Sequence, residues 1–349
     1  MKNKRQVIPA LAVILVVTTV AAIAEGAVQI PVTAMVSGIQ HWLSGEELIG
    51  LQENVFIELR LPRVLLCCLV GSILAVSGVL MQGLFRNPIV EPGLVGTSSG
   101  AACGAALVFV LAAGIDPGLK ANLGAWLAPL FAFGGAMLAT LLVYTLAGEG
   151  KGSSVVSLLL AGIAVNAIGL SGTGFLAYIA RDPQARSITF WSLGTFSGAS
   201  WWQVVIVGTT GISGCLLAFR YAKQLNTLLL GEEDANYLGV DTVMLKRKIM
   251  ILNTAMVAIA TAFVGVISFV GLIVPHILRL LMGSDNRKLL PAAALAGAIL
   301  LNLADMAARL LLAPAEIPIG IITSLVGAPI FIILLKRSQL AVTKGEHHG

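Results

Sequence analysis

Charge is the first thing that this sequence lacks. Of its 349 residues, 22 are Lys or Arg and 17 are Asp or Glu, so charged residues make up 11% of the chain, against about 25% in an average soluble domain. A soluble domain of this length needs charged side chains to cover its surface. The composition therefore excludes a soluble globular domain, and it equally excludes an intrinsically disordered chain.

Cysteine and catalytic motifs are scarce as well. The four cysteines, Cys67, Cys68, Cys103 and Cys215, lie in apolar segments without metal-ligand spacing, which excludes a disulfide scaffold and favours a packing role. The phosphate-binding motif G-x-x-x-x-G-K-[ST] is absent, and so are H-E-x-x-H and G-x-S-x-G. We therefore predict no catalytic residue, no metal site and no cofactor in this chain. The net charge of +5 accompanies no nucleic-acid-binding motif, so no nucleic-acid partner is predicted.

Long apolar runs dominate what is present. With 57% hydrophobic residues, the chain is predicted to be an all-α polytopic membrane protein, one domain over residues 1–349 with about ten transmembrane helices. The first run resembles a signal peptide, but its length favours an uncleaved helix. The predicted spans are 7–25, 62–85, 94–113, 125–147, 154–180, 201–222, 249–266, from the bend at 265–268 to 282, 289–312 and 317–335.

The distribution of Lys and Arg predicts the orientation. With both termini in the cytoplasm, 16 of the 22 basic residues fall on the cytoplasmic side and 6 fall outside, as the positive-inside rule requires. The hydrophilic interval 223–248 is then a cytoplasmic loop, and 181–200 is a re-entry segment on the outer side. The helix 62–85 ends at a proline-rich loop and the helix 249–266 at a glycine-rich bend, which suggests two inverted-repeat-like halves.

Six segments, taken in order, resemble one family. They are similar to motifs of the FecCD-type permeases, the type II ABC importer permeases for iron siderophores, heme and vitamin B12. The resemblance covers about residues 55–337. The segments are Arg86–Gly96 (RNPIVEPGLVG), Leu158–Gly162 (LLLAG), Trp191–Gly194 (WSLG), Gly231–Asp241 (GEEDANYLGVD), Phe269–Arg279 (FVGLIVPHILR), and the pair Glu316–Gly320 (EIPIG) with Gly327–Pro329 (GAP).

The resemblance implies an assembly. Its members act as homodimers with two cytoplasmic ATP-binding cassette subunits, which carry the ATP and Mg²⁺, and with a periplasmic binding protein. It places the chain in the bacterial inner membrane. By position it implies a cytoplasmic gate at Asn87, Pro88 and Ile89 and at Ser153, Ser154, Val155 and Val156. It implies ATPase coupling by Gly231, Glu232, Glu233, Asp234, Tyr237, Leu238 and Gly239, and binding-protein docking by Arg60, Arg63 and Arg309.

Each of these assignments has a simpler alternative. The proline-rich segment could be an ordinary loop, and the acidic segment a solvated linker. The arginines could extend their side chains to the membrane interface. Arg309 could also pair with Asp305, which lies one helical turn before it.

The transported substrate is predicted to be heme. The segment Ala185–Gly194 is most similar to the heme branch of the family, where an arginine precedes a T-F-W stretch. Arg181 and Arg186 would suit the two heme propionates, and Phe190 and Trp191 could contact the porphyrin face. Ferric siderophores, which are also often anionic, remain an alternative, as does cobalamin. The two arginines could instead form only a local salt bridge with Asp182.

Two other classes of protein stay open at this point. A secondary transporter would need ionisable groups near the membrane midplane, where the predicted helices offer Asn166, Asn253 and Asn302 but no clear carboxylate. A channel or structural membrane protein would not account for the segment that resembles a coupling loop.

Overall fold

The computed structural model describes residues 6–26, 28–111, 117–148 and 155–346. Within these ranges the chain forms fourteen α-helices, so the predicted all-α fold is confirmed. A π-helical turn at Val55–Arg60 joins α3 to α4, and a 3-10 turn at Pro92–Val95 lies between α4 and α5. The helices are α1 Val7–Ala24, α2 Val32–Ser44, α3 Gly50–Asn54, α4 Leu61–Phe85, α5 Thr97–Leu111, α6 Pro117–Leu146, α7 Val155–Ile179, α8 Gln184–Ser192, α9 Trp201–Leu228, α10 Glu232–Tyr237, α11 Thr242–Val264, α12 Val270–Met282, α13 Asn286–Leu310 and α14 Ile319–Glu346.

Seven helical stretches in the described residues are long and apolar enough to cross a membrane, and three shorter helices are also apolar. All ten fall on the spans predicted above, while the number that cross and the side of each terminus stay predictions. The seven are Val7–Ala24, Gly50–Phe85, Gly124–Leu146, Val156–Ile179, Trp201–Leu228, Thr242–Val264 and Asn286–Leu310; the three are Thr97–Leu111, Val270–Met282 and Ile319–Ile333.

The structure differs from the sequence-based prediction between residues 29 and 59, where no helix was predicted. This interval contains α2 and α3, and the π-helical turn makes α3 continuous with α4. Pro62 explains the turn: its ring would clash with a carbonyl in a regular helix, and the wider π-helical turn directly before it gives the ring room.

The centre of the bundle is α4, which packs against α9, α11, α12 and α13. Two glycine contacts let the helices approach this closely. Gly71 lies against the backbone of Gly297 on α13, and Gly78 lies against the backbone of Gly271 on α12, where an added Cβ would overlap a carbonyl oxygen. Close backbone approach of this kind is how membrane helices associate without a hydrophobic driving force.

Candidate functional site

The predicted docking and coupling residues lie at opposite ends of the bundle. Arg60 and Arg63 stand at the start of α4, and Trp201 at the start of α9 donates to the carbonyl of Ile57 at 3.0 Å. At the other end of α4, Arg86 lies 3.7 Å from the carboxylate of Glu232 on α10. We call the first the outer end and the second the cytoplasmic end, after the orientation predicted from the sequence, which stays a prediction.

Arg63 and Arg309 share one buried carboxylate. Asp305 is 2% exposed; its Oδ1 lies 2.9 Å from Arg63 Nη2 and its Oδ2 lies 3.0 Å from Arg309 Nε. The pairing of Arg309 with Asp305 that the sequence offered as an alternative is therefore present. Arg63 also reaches outward, where its Nη1 lies 2.8 Å from Oε1 of Glu316.

Arg60 and Arg309 bind the end of α1. Arg60 donates to the carbonyls of Ile23 at 2.6 Å and Ala24 at 2.8 Å, and also to that of Val28. Arg309 donates to the carbonyls of Ala22 at 2.9 Å and Glu25 at 3.0 Å. The last carbonyls of a helix lack partners within it, and here two guanidinium groups supply them. Docking of a binding protein at these arginines stays a prediction; in this chain they hold three helices together.

The first predicted gate segment begins at the end of α4. Asn87 Oδ1 accepts a hydrogen bond from the backbone N–H of Ile89 at 3.0 Å, which forms a tight turn. Pro88 and Ile89 are exposed, but Val90 is buried, so the chain turns back into the bundle after Ile89. Asn87, Pro88 and Ile89 thus form a surface tip with a buried base.

The base of this loop, around Pro92–Val95, is bound by side chains from the middle of two neighbouring helices. Asn166, in the middle of α7, donates to the carbonyl of Leu94 at 3.1 Å, and Asn253, in the middle of α11, contacts the carbonyl of Pro92 at 3.5 Å. Broken backbone within a membrane bundle needs such partners. Asn166 and Asn253 therefore supply hydrogen-bond partners to the carbonyls of this broken segment.

Glu91 is a site residue that the sequence-based reasoning missed. Its Oε1 accepts from the backbone N–H of Phe269 at 2.9 Å, just before the first turn of α12, and Phe269 has the left-handed φ of 69°. A carboxylate at a helix N-terminus is favoured by the helix dipole. The proline-rich loop and the glycine-rich bend, noted separately in the sequence, thus meet in space at Glu91. One signal in the sequence could have found this contact. Phe269 directly precedes α12 and cannot cap the helix with its own side chain, so another residue has to accept from the first N–H groups.

The second predicted gate segment is described only in part. Ser153 and Ser154 lie outside the described residues, and Val155 begins α7. The side chain of Val156, in the first turn of that helix, is exposed. The assignment of this segment to the gate stays a prediction.

The predicted coupling segment forms the short helix α10, and its residues point in two directions. Glu233, Asp234, Tyr237 and Leu238 are exposed, and Tyr237 shows 88% of its surface. Glu232 faces the chain, where its Oε2 lies 2.6 Å from Lys246 Nζ on α11. Gly231 and Gly239 flank the helix with positive φ angles of 130° and 85°, which only glycine adopts readily.

The predicted pathway residues lie on and before α8. Arg181, Arg186 and Phe190 are exposed, while Trp191 packs partly against a cluster of alanines from α5, α6 and α11. Arg186 Nε lies 3.6 Å from Asp182 Oδ1, and both side chains are largely exposed. Two backbone hydrogen bonds fix the end of α8 to the start of α14, from Ile319 to Gly194 at 3.0 Å and from Gly320 to Leu193 at 2.8 Å. The segment is therefore a cation-bearing edge that is anchored to α14 at the end of the bundle predicted to face outward.

At the opposite end, near α10, Asp285 caps α13. It accepts from Arg287 and from Asn226 Nδ2 on α9 at 2.7 Å, and these hydrogen bonds, chiefly that from the Arg287 side chain, lower the pKa of Asp285 from 3.8 to about 2. A carboxylate with a lowered pKa stabilises the fold above its unfolded pKa, and that stabilisation is lost as the pH falls through the folded value.

The Asp285→Asn variant should therefore unfold at a lower temperature than wild type at pH 7. The difference should shrink as the pH falls from 3.8 towards 2, which thermal unfolding of purified protein across that range would test. A difference that does not change with pH would contradict a charge-based role.

The sequence of this chain is similar to those of known membrane permeases. The FecCD transport family matches residues 14–337. The hemin transport system permease protein of Yersinia pestis is 43% identical over 82% of this chain and 84% of its own length. The cobalamin import permease of Halobacterium salinarum is 40% identical over 81% of this chain and 73% of its own. The vitamin B12 import permease of Salmonella typhi is 39% identical over 86% of this chain and 89% of its own.

A solved structure also matches. A metal-chelate type ABC transporter in an inward-facing conformation aligns with a TM-score of 0.82 and 30% identity, over 95% of this chain and 99% of that one. Family, relatives and fold agree over most of the length, and the secondary-transporter and channel alternatives are set aside. The chain belongs to the FecCD transport family and is a multi-pass permease of the ABC importer type.

Proposed function

We propose that this chain is the permease subunit of an ATP-driven importer that carries heme across the bacterial inner membrane. The observation that carries the substrate is the 43% identity to a hemin permease. The exposed arginines at positions 181 and 186 support it, because a guanidinium group suits the two carboxylates of heme.

In this proposal the two ends of the bundle have different partners. A periplasmic binding protein docks near Arg63 at the outer end, and an ATP-binding cassette subunit docks on the exposed face of α10. Two copies of the chain enclose the pathway, and Asn87–Ile89 close it at the cytoplasmic side. The partner subunits bind ATP and Mg²⁺, because the sequence of this chain lacks a phosphate-binding loop. The purified permease alone should then hydrolyse no ATP.

Cobalamin is the second candidate, and a specific observation favours it: two cobalamin permeases are 39% and 40% identical to this chain. Ferric siderophores are the third candidate, since the family transports them and many are anionic. The three substrates differ in charge, so they should differ in their dependence on the outer arginines.

The deciding experiment is uptake into liposomes. The permease, its ATPase subunits and the binding protein from the same genome are reconstituted, and hemin, cyanocobalamin and a ferric siderophore are each supplied with ATP inside or outside. ATP-dependent uptake of hemin alone supports the proposal. Uptake of cyanocobalamin or of the siderophore without hemin would transfer the assignment to that substrate.

The arginines at the outer edge give a matched test. The Arg181→Ala/Arg186→Ala double variant should lower hemin uptake about tenfold, the loss expected from one or two charge-assisted contacts. Asp182→Ala is the control: it removes the ion pair with Arg186 but leaves both cations. If the arginines act on the propionates, Asp182→Ala keeps hemin uptake. Equal losses of hemin uptake in the double arginine variant and in Asp182→Ala would mean that the arginines have only a local structural role.

A further inference from the structure

The short helix α10 has an outer face and an inner face with different chemistry. The outer face carries Glu233, Asp234, Tyr237 and Leu238, all exposed. On the inner face Ala235 is fully buried, and Glu232 lies half-buried against α4 and α11. A partner that docks on the outer face would not reach the Glu232 carboxylate, which already has partners in this chain.

Glu232 joins α10 to two other elements of this chain. Its Oε2 lies 2.6 Å from Nζ of Lys246, a side chain that is only 10% exposed, near the start of α11. Its Oε1 lies 3.7 Å from Nη2 of Arg86, the residue that ends α4. The contact with Lys246 is short and shielded from solvent, so it is the stronger of the two; the contact with Arg86 is more exposed and easier to change.

Arg86 and Lys246 each connect Glu232 to the proline-rich loop. Arg86 is the residue directly before Asn87, and it has a left-handed φ of 51°, which costs a non-glycine residue about 1–2 kcal/mol. Lys246 lies two helical turns before Asn253 on α11, and Asn253 contacts the base of the loop at Pro92. The one carboxylate of α10 that faces inward is thus linked to the head of the loop directly and to its base through α11.

We propose that Glu232 is a positioning residue that transmits movement of α10 to the Asn87–Ile89 loop, while Glu233, Asp234 and Tyr237 bind the ATPase subunit. The proposal rests on the proposed coupling role of α10 but not on the identity of the substrate. Displacement of α10 by its partner carries the Glu232 carboxylate with it, and this shifts Arg86 and hence the exposed tip of the loop. Ala235 packs α10 into the core, and the two charge pairs of Glu232 join α10 to Arg86 and Lys246.

The test separates transmission from docking. The assembled complex of the permease with its ATPase subunits is prepared with wild type, Glu232→Gln, Arg86→Gln and Glu233→Gln. Three quantities are measured: ATPase subunit retained on purification, substrate taken up per ATP hydrolysed, and hydrogen–deuterium exchange of residues 86–96 with and without a non-hydrolysable ATP analogue. Arg86→Gln breaks only the exposed pair, so it gives a result even if Glu232→Gln folds poorly.

Glu232→Gln and Arg86→Gln should retain the ATPase subunit yet lower uptake per ATP at least about fivefold, and exchange of the loop should no longer respond to nucleotide. Glu233→Gln should instead lower retention of the subunit. Normal uptake and a normal exchange response in both transmission variants would overturn the proposal, as would loss of the subunit in Glu232→Gln alone. If the complex transports none of the substrates tried, the substrate assignment fails. The response of hydrogen–deuterium exchange in residues 86–96 to nucleotide still decides whether Glu232 transmits movement of α10 to the loop.

Discussion

Gly78→Ala should prevent this permease from folding stably, although it adds a single methyl group. Gly78 on the central helix α4 lies against the backbone of Gly271 on α12, and an added Cβ would overlap the carbonyl oxygen of Gly271. A backbone carbonyl cannot rotate away as a flexible side chain can, so the two helices must separate. The destabilisation should reach or exceed the upper end of the roughly 1–3 kcal/mol seen when cores are overpacked.

The effect would extend beyond the two glycines. Gly271 also packs against Pro92, at the base of the proline-rich loop, and its helix begins at the N–H that Glu91 accepts from. Moving α12 away from α4 would therefore loosen the loop on which the proposed gate depends. We expect the variant to elute as aggregate on size exclusion and to unfold at a markedly lower temperature than wild type in detergent.

Gly134→Ala is the matched control for this experiment. Gly134 lies in the interior of α6, is exposed, and a Cβ added there would meet no atom within 4 Å. Alanine is favoured over glycine inside a helix by about 1 kcal/mol, so this variant should be as stable as wild type or slightly more so. Equal thermal stability of the two alanine variants would show that the α4–α12 contact is not the tight crossing described above.

The sequence could predict the helices because membrane spans are long and their apolar character is local. It did not predict α2, because that helix has 13 residues, which is too few to span a membrane, and polar residues separate it from the next apolar run. The π-helical turn before Pro62 could not be predicted either, because it depends on the helix continuing through a residue type that normally begins one.

For the candidate site, the sequence indicated which segments to consider but not the directions of their side chains. The acidic segment at 231–239 was identified, yet no pattern indicates that Glu232 faces inward while Glu233 and Asp234 face outward, because α10 is less than two turns long. Glu91 was overlooked because it lies in a loop, and only the fold brings the loop back to the middle of the bundle. Helical spacing did suggest the pairing of Arg309 with Asp305, since both lie on one helix.

Asp305→Asn should be the most destabilising polar substitution at the outer end. The carboxylate is 2% exposed and faces two guanidinium groups, from Arg63 and Arg309. Removing its charge leaves two nearly buried cations close together with no shared counterion. Breaking a buried pair in this way costs about 3–5 kcal/mol, much of it from the charge left unpaired.

The loss should spread to α1 in a recognisable way. Arg309 donates to the carbonyls of Ala22 and Glu25 from the same guanidinium group that Asp305 orients. Once Arg309 is free to turn, the last turn of α1 loses two of its hydrogen-bond donors. Compared with wild type, the variant should therefore exchange its backbone hydrogens for deuterium faster at the end of α1 than in the rest of the bundle.

Glu316→Gln separates this buried pairing from an ordinary surface pair. Glu316 contacts the same Arg63, at 2.8 Å, but its side chain is 39% exposed, and exposed ion pairs contribute about 0–1 kcal/mol. Unfolding in detergent should show a large loss for Asp305→Asn and little or none for Glu316→Gln. Similar small losses in both variants would mean that the pairing with Asp305 contributes little to stability. A large loss confined to Asp305→Asn would instead show that Asp305 and these arginines hold α1, α4 and α13 together.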